Sequence, residues 1–352
     1  MRQLRGAFSL SCMRTIGSFF LSFSLLIGCG DAGTSSDGSS LSHTFEALDI
    51  ESGAEMLDVC QSWTLDNDEP LYVARIEQSN DGAWHHSNWY FVPEELYDGP
   101  DGTWPCGERG FTQLGATNAG GVFFAQSTQT FDEAQAFAEG AVVEIPPRST
   151  VVGDIHLLNV SATPLSTAIR FDVETIAEED VEVKLRPIAF SNEALDIEPR
   201  AESRFGMTCN VANQFERVLG EPPNYNIYYV LGHYHDWGNY FRLSFVDEEA
   251  GIDETVFEFS GRVGEPLGKV IDPPLHSQGA KSLRFECGYL NDTDRRLEYG
   301  FQGQEMCLFL AYMDADIKLG ALSGVNQPMG QNENGVYMNE TKCGAVVGVP
   351  AE

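Results

Sequence analysis

Two histidines two positions apart form the clearest pair of side chains in this sequence that could bind one metal ion. His233 and His235 end the segment 227–235, which is rich in β-branched and aromatic residues. Residues i and i+2 of a strand project from one face, so both imidazoles can reach one metal ion. Same-face histidines are also found solvated or packed in a core, and the pair alone leaves these alternatives open.

A second group of histidines lies in the first half of the chain. His85 and His86 are adjacent, and in a regular strand they point to opposite faces. Joint binding of a metal therefore requires a strand end or a bulge that redirects one ring. His156 lies alone in the apolar segment 153–158, where a hydrogen-bonded core histidine is the ordinary alternative.

Met306 begins the apolar run 306–310. Methionine in such a run normally fills a core. Its thioether is also a soft ligand that favours Cu(I).

The elements that must position these residues are mainly strands. Segments bounded by turn residues predict strands at 71–76, 84–92, 142–145, 153–160 and 168–173, then at 226–235, 240–246, 256–259, 283–290, 297–301 and 306–313. Residues 236–239 are typical of a hairpin turn. Short helices are predicted only at 131–138 and 211–218. We expect an all-β protein of two tandem antiparallel, jelly-roll-like β-sandwich domains, at 45–195 and 196–352.

The first 44 residues predict export and anchoring. Three arginines and no acidic residue precede an apolar run at 16–27, and the run ends at Cys29 in a segment that resembles a bacterial lipoprotein cleavage box. We interpret 1–29 as a lipoprotein signal peptide, with Cys29 lipidated, and 30–44 as a flexible Gly/Ser tether. Ordinary secretion is the alternative. The predicted location is the bacterial cell envelope, at the outer membrane.

The charge restricts the partners. The formal net charge is −32, and removing residues 1–29 takes away three arginines and no acid, which gives −35. Such a field excludes nucleic acid and anionic lipid as partners. Contact with a membrane is expected through the lipid anchor alone, and the sequence does not indicate an oligomeric state.

Six cysteines remain after Cys12 and Cys29 are set aside. They contain no C-x-x-C motif, which disfavours a zinc ribbon or a thioredoxin-type site. An even number in an exported chain indicates disulfides, and fifteen pairings are possible.

Taken together, these residues resemble the copper type II, ascorbate-dependent monooxygenases, the family of peptidylglycine α-hydroxylating monooxygenase and dopamine β-monooxygenase. The resemblance runs from about Cys60 to Cys343. It implies one copper in each domain, held in two separate trios. Their ligands would be His85, His86 and His156 in the first domain, and His233, His235 and Met306, the Met of an E-M-C motif, in the second. It also guides the choice of disulfides: Cys60–Cys106, Cys209–Cys343 and Cys287–Cys307.

The resemblance implies an enzyme that hydroxylates a C–H bond. O₂ would bind at the copper of His233, His235 and Met306, and the other copper would supply a second electron. Ascorbate or another one-electron reductant would be the cosubstrate. A disulfide at Cys307 would keep that thiol from the metal and fix the strand that presents Met306.

Three leucines depart from the peptide-amidating branch of the family. Leu231 precedes His233 by two residues, and Leu308 and Leu310 follow Met306 by two and four. In that branch these positions carry an Arg, an Asn and a Tyr that bind a peptide carboxylate, which leucine cannot do. We therefore expect a small apolar or aromatic substrate, or an apolar side chain. The alternatives are that the leucines are only core, that the chain is a non-catalytic copper-binding or copper-transfer lipoprotein of the same fold, or that it is an interaction sandwich with incidental histidines.

Overall fold

Alternating apolar and polar residues make most of this chain β-structure. In the strand Ile169–Ile176, for example, Ile169, Phe171 and Val173 are buried, whereas Arg170 and Glu174 are exposed. This period of two is what a strand with one face on a core requires. The computed structural model describes residues 39–126, 129–261, 267–300 and 303–351. It is an all-β, jelly-roll-like fold, as the sequence predicts.

The N-terminal half contains thirteen strands and one short α-helix. The strands are β1 (Ser40–Thr44), β2 (Leu48–Ile50), β3 (Glu55–Thr64), β4 (Leu71–Asn80), β5 (Trp84–Pro93), β6 (Gly102–Pro105), β7 (Gly121–Ala125), β8 (Asp132–Ala136), β9 (Ala141–Ile145), β10 (Ser149–Leu158), β11 (Leu165–Thr167), β12 (Ile169–Ile176) and β13 (Val183–Lys184). The helix is α1 (Gln113–Ala119), and 3₁₀ turns lie at Cys106–Arg109 and Glu178–Asp180.

The C-terminal half adds twelve strands and a second helix. These strands are β14 (Arg186–Ser191), β15 (Asp196–Ile197), β16 (Ala201–Asn210), β17 (Asn226–His233), β18 (Gly238–Asp247), β19 (Ile252–Ser260), β20 (Gly268–His276), β21 (Ser282–Asn291), β22 (Leu297–Glu298), β23 (Leu308–Met313), β24 (Ile317–Gln331) and β25 (Tyr337–Pro350). The helix is α2 (Ala212–Leu219).

Two sheets pack face to face in the N-terminal half. One has the order β1-β12-β4-β9-β13, with β8 also paired to β4, and the other has the order β6-β3-β10-β5-β7. Phe171 of the first sheet contacts Trp89 of the second, with ring centroids 5.0 Å apart. The histidine-bearing strands β5 and β10 are therefore neighbours in one sheet.

A single ten-stranded sheet forms most of the C-terminal half. Its order is β19-β18-β21-β16-β25-β24-β14-β23-β17-β20. Strands β21 and β23 are distant in this order, yet the rings of Phe285 and Phe309 lie 5.0 Å apart and Cys287 bonds to Cys307. The sheet therefore folds over on itself into two layers. The long strands β24 and β25 connect the layers, and shifts in their pairing register allow the bend.

The two halves share buried contacts. Leu231 and Leu310 belong to the core of the N-terminal half, and the Tyr312 hydroxyl donates to the Val122 carbonyl oxygen at 3.1 Å. The sheet of the C-terminal half begins at Arg186 in β14, before the predicted boundary at 195/196. That division into two domains stays a prediction, and the described residues form one unit.

Several expectations about local structure are corrected. Residues 131–138 were predicted to be helical, but Asp132–Ala136 is strand β8, because pairing with β4 overrides the helix propensity of its Ala, Glu and Gln residues. The turn at 236–239 does not close a hairpin, since β17 and β18 are not neighbours in the sheet. The tether was expected to extend to residue 44, but β1 already pairs with β12 from Ser40.

The other predicted helix, 211–218, is confirmed as α2 within one residue at each end. The predicted signal peptide and Cys29 lie outside the described residues. Among the described residues, no helix has both the length and the apolar character needed to cross a membrane.

Candidate metal centre

A bulge brings the adjacent histidines to one side of the sheet. His86 of β5 pairs directly with His156 of β10, whereas the next pair is Trp84 with Leu157. His85 is therefore an extra residue with no counterpart on β10. This is the irregularity that the sequence requires if both rings are to face one site. The ring centroids of His85 and His86 lie 4.5 and 4.8 Å from that of His156.

Glu55 orients His156 from a second bulge on the opposite side of β10. Ile155 pairs with Val59 and Leu157 with Met56, so two residues of β3 oppose His156, one of them Asp58 at φ +59°. The Nε2–H of His156 donates to Glu55 Oε1 at 2.7 Å. This bond leaves Nδ1 with its lone pair, 3.4 Å from His86 Nε2. A carboxylate that fixes the tautomer of a histidine is a common support of metal ligands.

His235 is held in a similar way by the backbone. Its Nδ1–H donates to the Gln304 carbonyl oxygen at 2.9 Å, which leaves Nε2 as the acceptor nitrogen. Nε2 is buried and has no hydrogen-bond partner among the described residues. The same is true of His85 Nδ1. Burying two ring nitrogens without hydrogen-bond partners costs free energy unless an ion or another ligand binds to them.

Glu305 connects the segments that present His235 and Met306. Its carboxylate accepts the backbone N–H groups of His235 and Trp237, each at 2.8 Å, and the side chain is fully buried. Burial raises the pKa of Glu305 to about 8, and the backbone N–H donors act in the opposite direction. Tyr289 adds a second restraint, because its hydroxyl donates to the Met306 carbonyl oxygen at 2.6 Å.

The five histidines form one continuous cluster and not two separate trios. The rings of His85 and His235 are 5.2 Å apart, and those of His86 and His233 are 5.3 Å apart. Two groups have ligand atoms within 4.8 Å of one another: His85, His86 and His156, and His86, His233 and His235. His86 belongs to both. The histidines of the two expected trios are thus neighbours, because packing of the two halves brings β5 against the end of β17; the assignment of ligands to two ions stays a prediction.

Met306 and the three leucines line a cavity beside this cluster. The cavity measures about 100 Å³, and His86 and His233 form part of its wall. Met306, Leu231 and Leu310 are at most 5% exposed. Leu231, Leu308 and Leu310 all reach the cavity. Leu231 and Leu310 also pack in a core, so for these two the predicted roles of pocket and core coexist.

A second cavity of about 280 Å³ lies on the other side of His86, next to His156. Asn88 and Gln113 line both cavities. Asp154, two residues before His156, lines the larger one, and its carboxylate accepts from Gln113 Nε2 at 2.7 Å. Among the carboxylates near His156, it is thus Glu55 that hydrogen-bonds the ring.

Burial favours the neutral form of four of the five imidazoles. Burial, with repulsion from neighbouring imidazoles, lowers the pKa of His85 to about 3. Burial also lowers the pKa values of His86, His156 and His235; Glu55 opposes the shift at His156, and the Gln304 carbonyl opposes it at His235. Neutral imidazole is the form that binds metal.

Three disulfides support the site, and they are the pairs implied by the resemblance: Cys60–Cys106, Cys209–Cys343 and Cys287–Cys307. The last of these removes the thiol adjacent to Met306. The remaining histidines, His43 and His276, lie outside the cluster: His43 stacks on Trp63, and His276 bonds to Asn224.

Sequence reasoning missed Glu55, Gln304 and Glu305. Glu55 is 101 residues from His156, and no local pattern connects them. Glu305 was visible as the first letter of the E-M-C motif, but its role depends on a turn 70 residues earlier.

Comparisons with known proteins give no family. No protein-family model matches the chain, and no curated protein matches it. Among solved structures, the major capsid protein P2 from bacteriophage PM2 is similar at 7% identity with a TM-score of 0.32, over 78% of this chain and 97% of that chain. PNGase F, a glycosylasparaginase from Flavobacterium meningosepticum, is similar at 8% identity with a TM-score of 0.36, over 88% and 99%. Neither likeness assigns a function to this chain.

Proposed function

We propose that this chain is a copper-dependent monooxygenase that hydroxylates a C–H bond of an apolar or aromatic substrate, with O₂ and an external reductant such as ascorbate. One observation supports the proposal above all others. The rings of five histidines form one cluster, and a small cavity beside it is lined by His86, His233 and Met306; two of the ring nitrogens have no hydrogen-bond partner among the described residues.

The donor set fits copper. His85, His86 and His156 offer nitrogen alone, which suits an ion that alternates between Cu(II) and Cu(I). His233, His235 and Met306 add sulfur, which favours Cu(I). No carboxylate of the described residues joins either group of close ligand atoms, so the donor set lacks the hard oxygen ligands that Mg²⁺ and Ca²⁺ prefer.

Copper would supply one-electron redox chemistry and activation of O₂. The protein's own residues keep the ligands ready: Glu55 holds the tautomer of His156, and the Gln304 carbonyl holds that of His235. Leu231, Leu308 and Leu310 form an apolar wall next to Met306 that excludes water and contacts an apolar substrate. The Cys287–Cys307 disulfide keeps a reactive thiol away from the metal.

Copper stoichiometry is the first test. The full chain, purified and reconstituted, should bind two coppers, and Met306→Ala should bring this towards one and abolish reductant-driven O₂ consumption. Met329→Ala is the matched control, because Met329 is 64% exposed on β24. The proposal fails if the wild-type chain takes up no copper. Copper uptake without any O₂ consumption in the presence of ascorbate would leave the copper-binding or copper-transfer lipoprotein as the function.

Substrate choice is the second test. The leucine wall offers no partner for a carboxylate, and burying an unpaired charge costs several kcal/mol. Apolar compounds and phenethylamine-type compounds should therefore react faster than glycine-extended peptides of similar size. Faster turnover of the peptides would contradict the assignment of the leucine wall as the substrate site.

A further inference from the structure

His86 is as close to the histidine pair of the C-terminal half as these two histidines are to each other. Its ring centroid lies 5.3 Å from that of His233 and 5.5 Å from that of His235. The centroids of His233 and His235 are 5.3 Å apart. The ligand atoms of the three residues lie within 4.8 Å of one another, and all three side chains are buried.

Buried contacts between the halves maintain this approach. The Tyr312 hydroxyl on β23 donates to the Val122 carbonyl oxygen and accepts from Gln135 Nε2 at 3.3 Å. Leu231, two residues before His233, packs in the core that also contains Trp84 and Trp89 of β5. His86 and His233 are thus carried by two strands that are packed against one another, and not by mobile loops.

The neighbouring groups leave this trio suited to a metal. The Nδ1–H of His235 is committed to the Gln304 carbonyl, so Nε2 is the nitrogen available to an ion. Met306 lines the cavity that His86 and His233 also line. Its thioether and the three imidazoles together offer four soft or intermediate donors of the kind that copper accepts.

We propose that the ion held by His233 and His235 takes His86 of the N-terminal half as a ligand, so that bound metal fastens the two halves of the chain together. This inference rests on the proposed function for the presence of metal. It adds a ligand that the family resemblance assigns to the other copper. A neutral imidazole binds one ion through one nitrogen, so His86 in this role belongs to the ion of His233 and His235, and loss of its imidazole weakens that ion directly, whereas loss of His85 does not.

The test isolates the second ion. In the full chain, the double variant His85→Ala/His156→Ala removes two ligands of the first group and leaves His86, His233 and His235 in place. Its affinity for Cu(I) is measured by competition with a chromogenic chelator, without O₂ or substrate. Addition of His86→Ala, or of the size-conserving His86→Gln, is then compared with addition of His276→Ala, an exposed histidine outside the cluster.

We expect the double variant to bind one Cu(I). Either His86 substitution should weaken that ion by more than the roughly 10–100-fold that loss of an outer hydrogen-bonding partner typically costs. His276→Ala should leave its affinity unchanged. Circular dichroism of the metal-free variants checks that each one folds, and the two His86 substitutions guard against a defect specific to alanine.

The possible failures are distinct. If His86→Ala and His86→Gln both leave the affinity unchanged, the assignment of His86 as a ligand of this ion is overturned while the proposed function stands. A double variant that binds no Cu(I), although the wild-type chain binds it, also overturns the inference, because the trio then holds no ion by itself. A wild-type chain that binds no copper overturns the proposed function as well.

Discussion

Replacement of Glu55 should weaken metal binding at His156 without unfolding the protein. The Glu55 carboxylate accepts from His156 Nε2 at 2.7 Å, and the His156 side chain is 4% exposed, so the bond lies largely out of water. A hydrogen bond to a charged group of this kind contributes roughly 1.5–3 kcal/mol. Since about 1.4 kcal/mol corresponds to a factor of ten, Glu55→Ala should weaken the ion at His85, His86 and His156 by roughly 10–100-fold.

Glu55→Gln separates charge from geometry. The amide oxygen still accepts from Nε2–H and preserves the tautomer, so the loss should be smaller than for alanine. Chelator competition for Cu(II), followed by the electron paramagnetic resonance spectrum of the bound ion, reports both the affinity and the ligand geometry. Glu174→Ala is the matched control, because the Glu174 side chain is 65% exposed on β12. Unchanged affinity and spectrum in Glu55→Ala would refute the positioning role.

Three further predictions concern stability. The folded-state pKa of His85 is lowered to about 3 from 6.5, so the stability that depends on its neutral form is present above pH 6.5 and decreases as the pH falls towards 3. At pH 5 the metal-free chain should have lost about 2 kcal/mol through this residue. His85→Ala should therefore flatten the acid limb of a pH series of thermal melts. Gly153→Ala should destabilise the chain by about 1–3 kcal/mol in urea unfolding, since the new Cβ would lie 2.4 Å from the Trp89 ring; a neutral effect would show that β10 and β5 can separate easily. The double variant Cys287→Ala/Cys307→Ala leaves no free thiol and should lower the free energy of unfolding by about 3 kcal/mol in the same assay. A loss close to zero would mean that the two sheet layers do not need this disulfide.

The histidine pairs show how far sequence reasoning can reach. The i, i+2 spacing of His233 and His235 predicts neighbouring rings on one face of a strand. The ring centroids are 5.3 Å apart, but β17 ends at His233, so the position of His235 depends on the turn that follows. The need for a bulge at His85 and His86 was also predictable. The position of the bulge was not, because it is set by the pairing of β5 with β10, whose sequences are some 70 residues apart.

The contacts between the halves were beyond sequence reasoning. Each trio could be proposed from its own half of the chain, but the distance between the trios depends on how β23 packs against the N-terminal core. Strand β8 illustrates a smaller failure of the same kind. Its Glu133 and Gln135 are buried, and Gln135 donates to the Phe123 carbonyl and to Tyr312, so polar residues occupy positions where the pattern leads one to expect apolar ones.

The position of β25 sets the order in which this protein can be completed. Its parallel pairing with β16 and antiparallel pairing with β24 place it in the middle of the ten-stranded sheet, although it follows the other described strands of that sheet in sequence. The sheet therefore cannot close until β25 has been synthesised, although segments tend to fold as units during synthesis. His233 and His235, more than a hundred residues upstream, acquire their final surroundings only then. A metal bound there as proposed would consequently enter only after β25 has been inserted into the sheet.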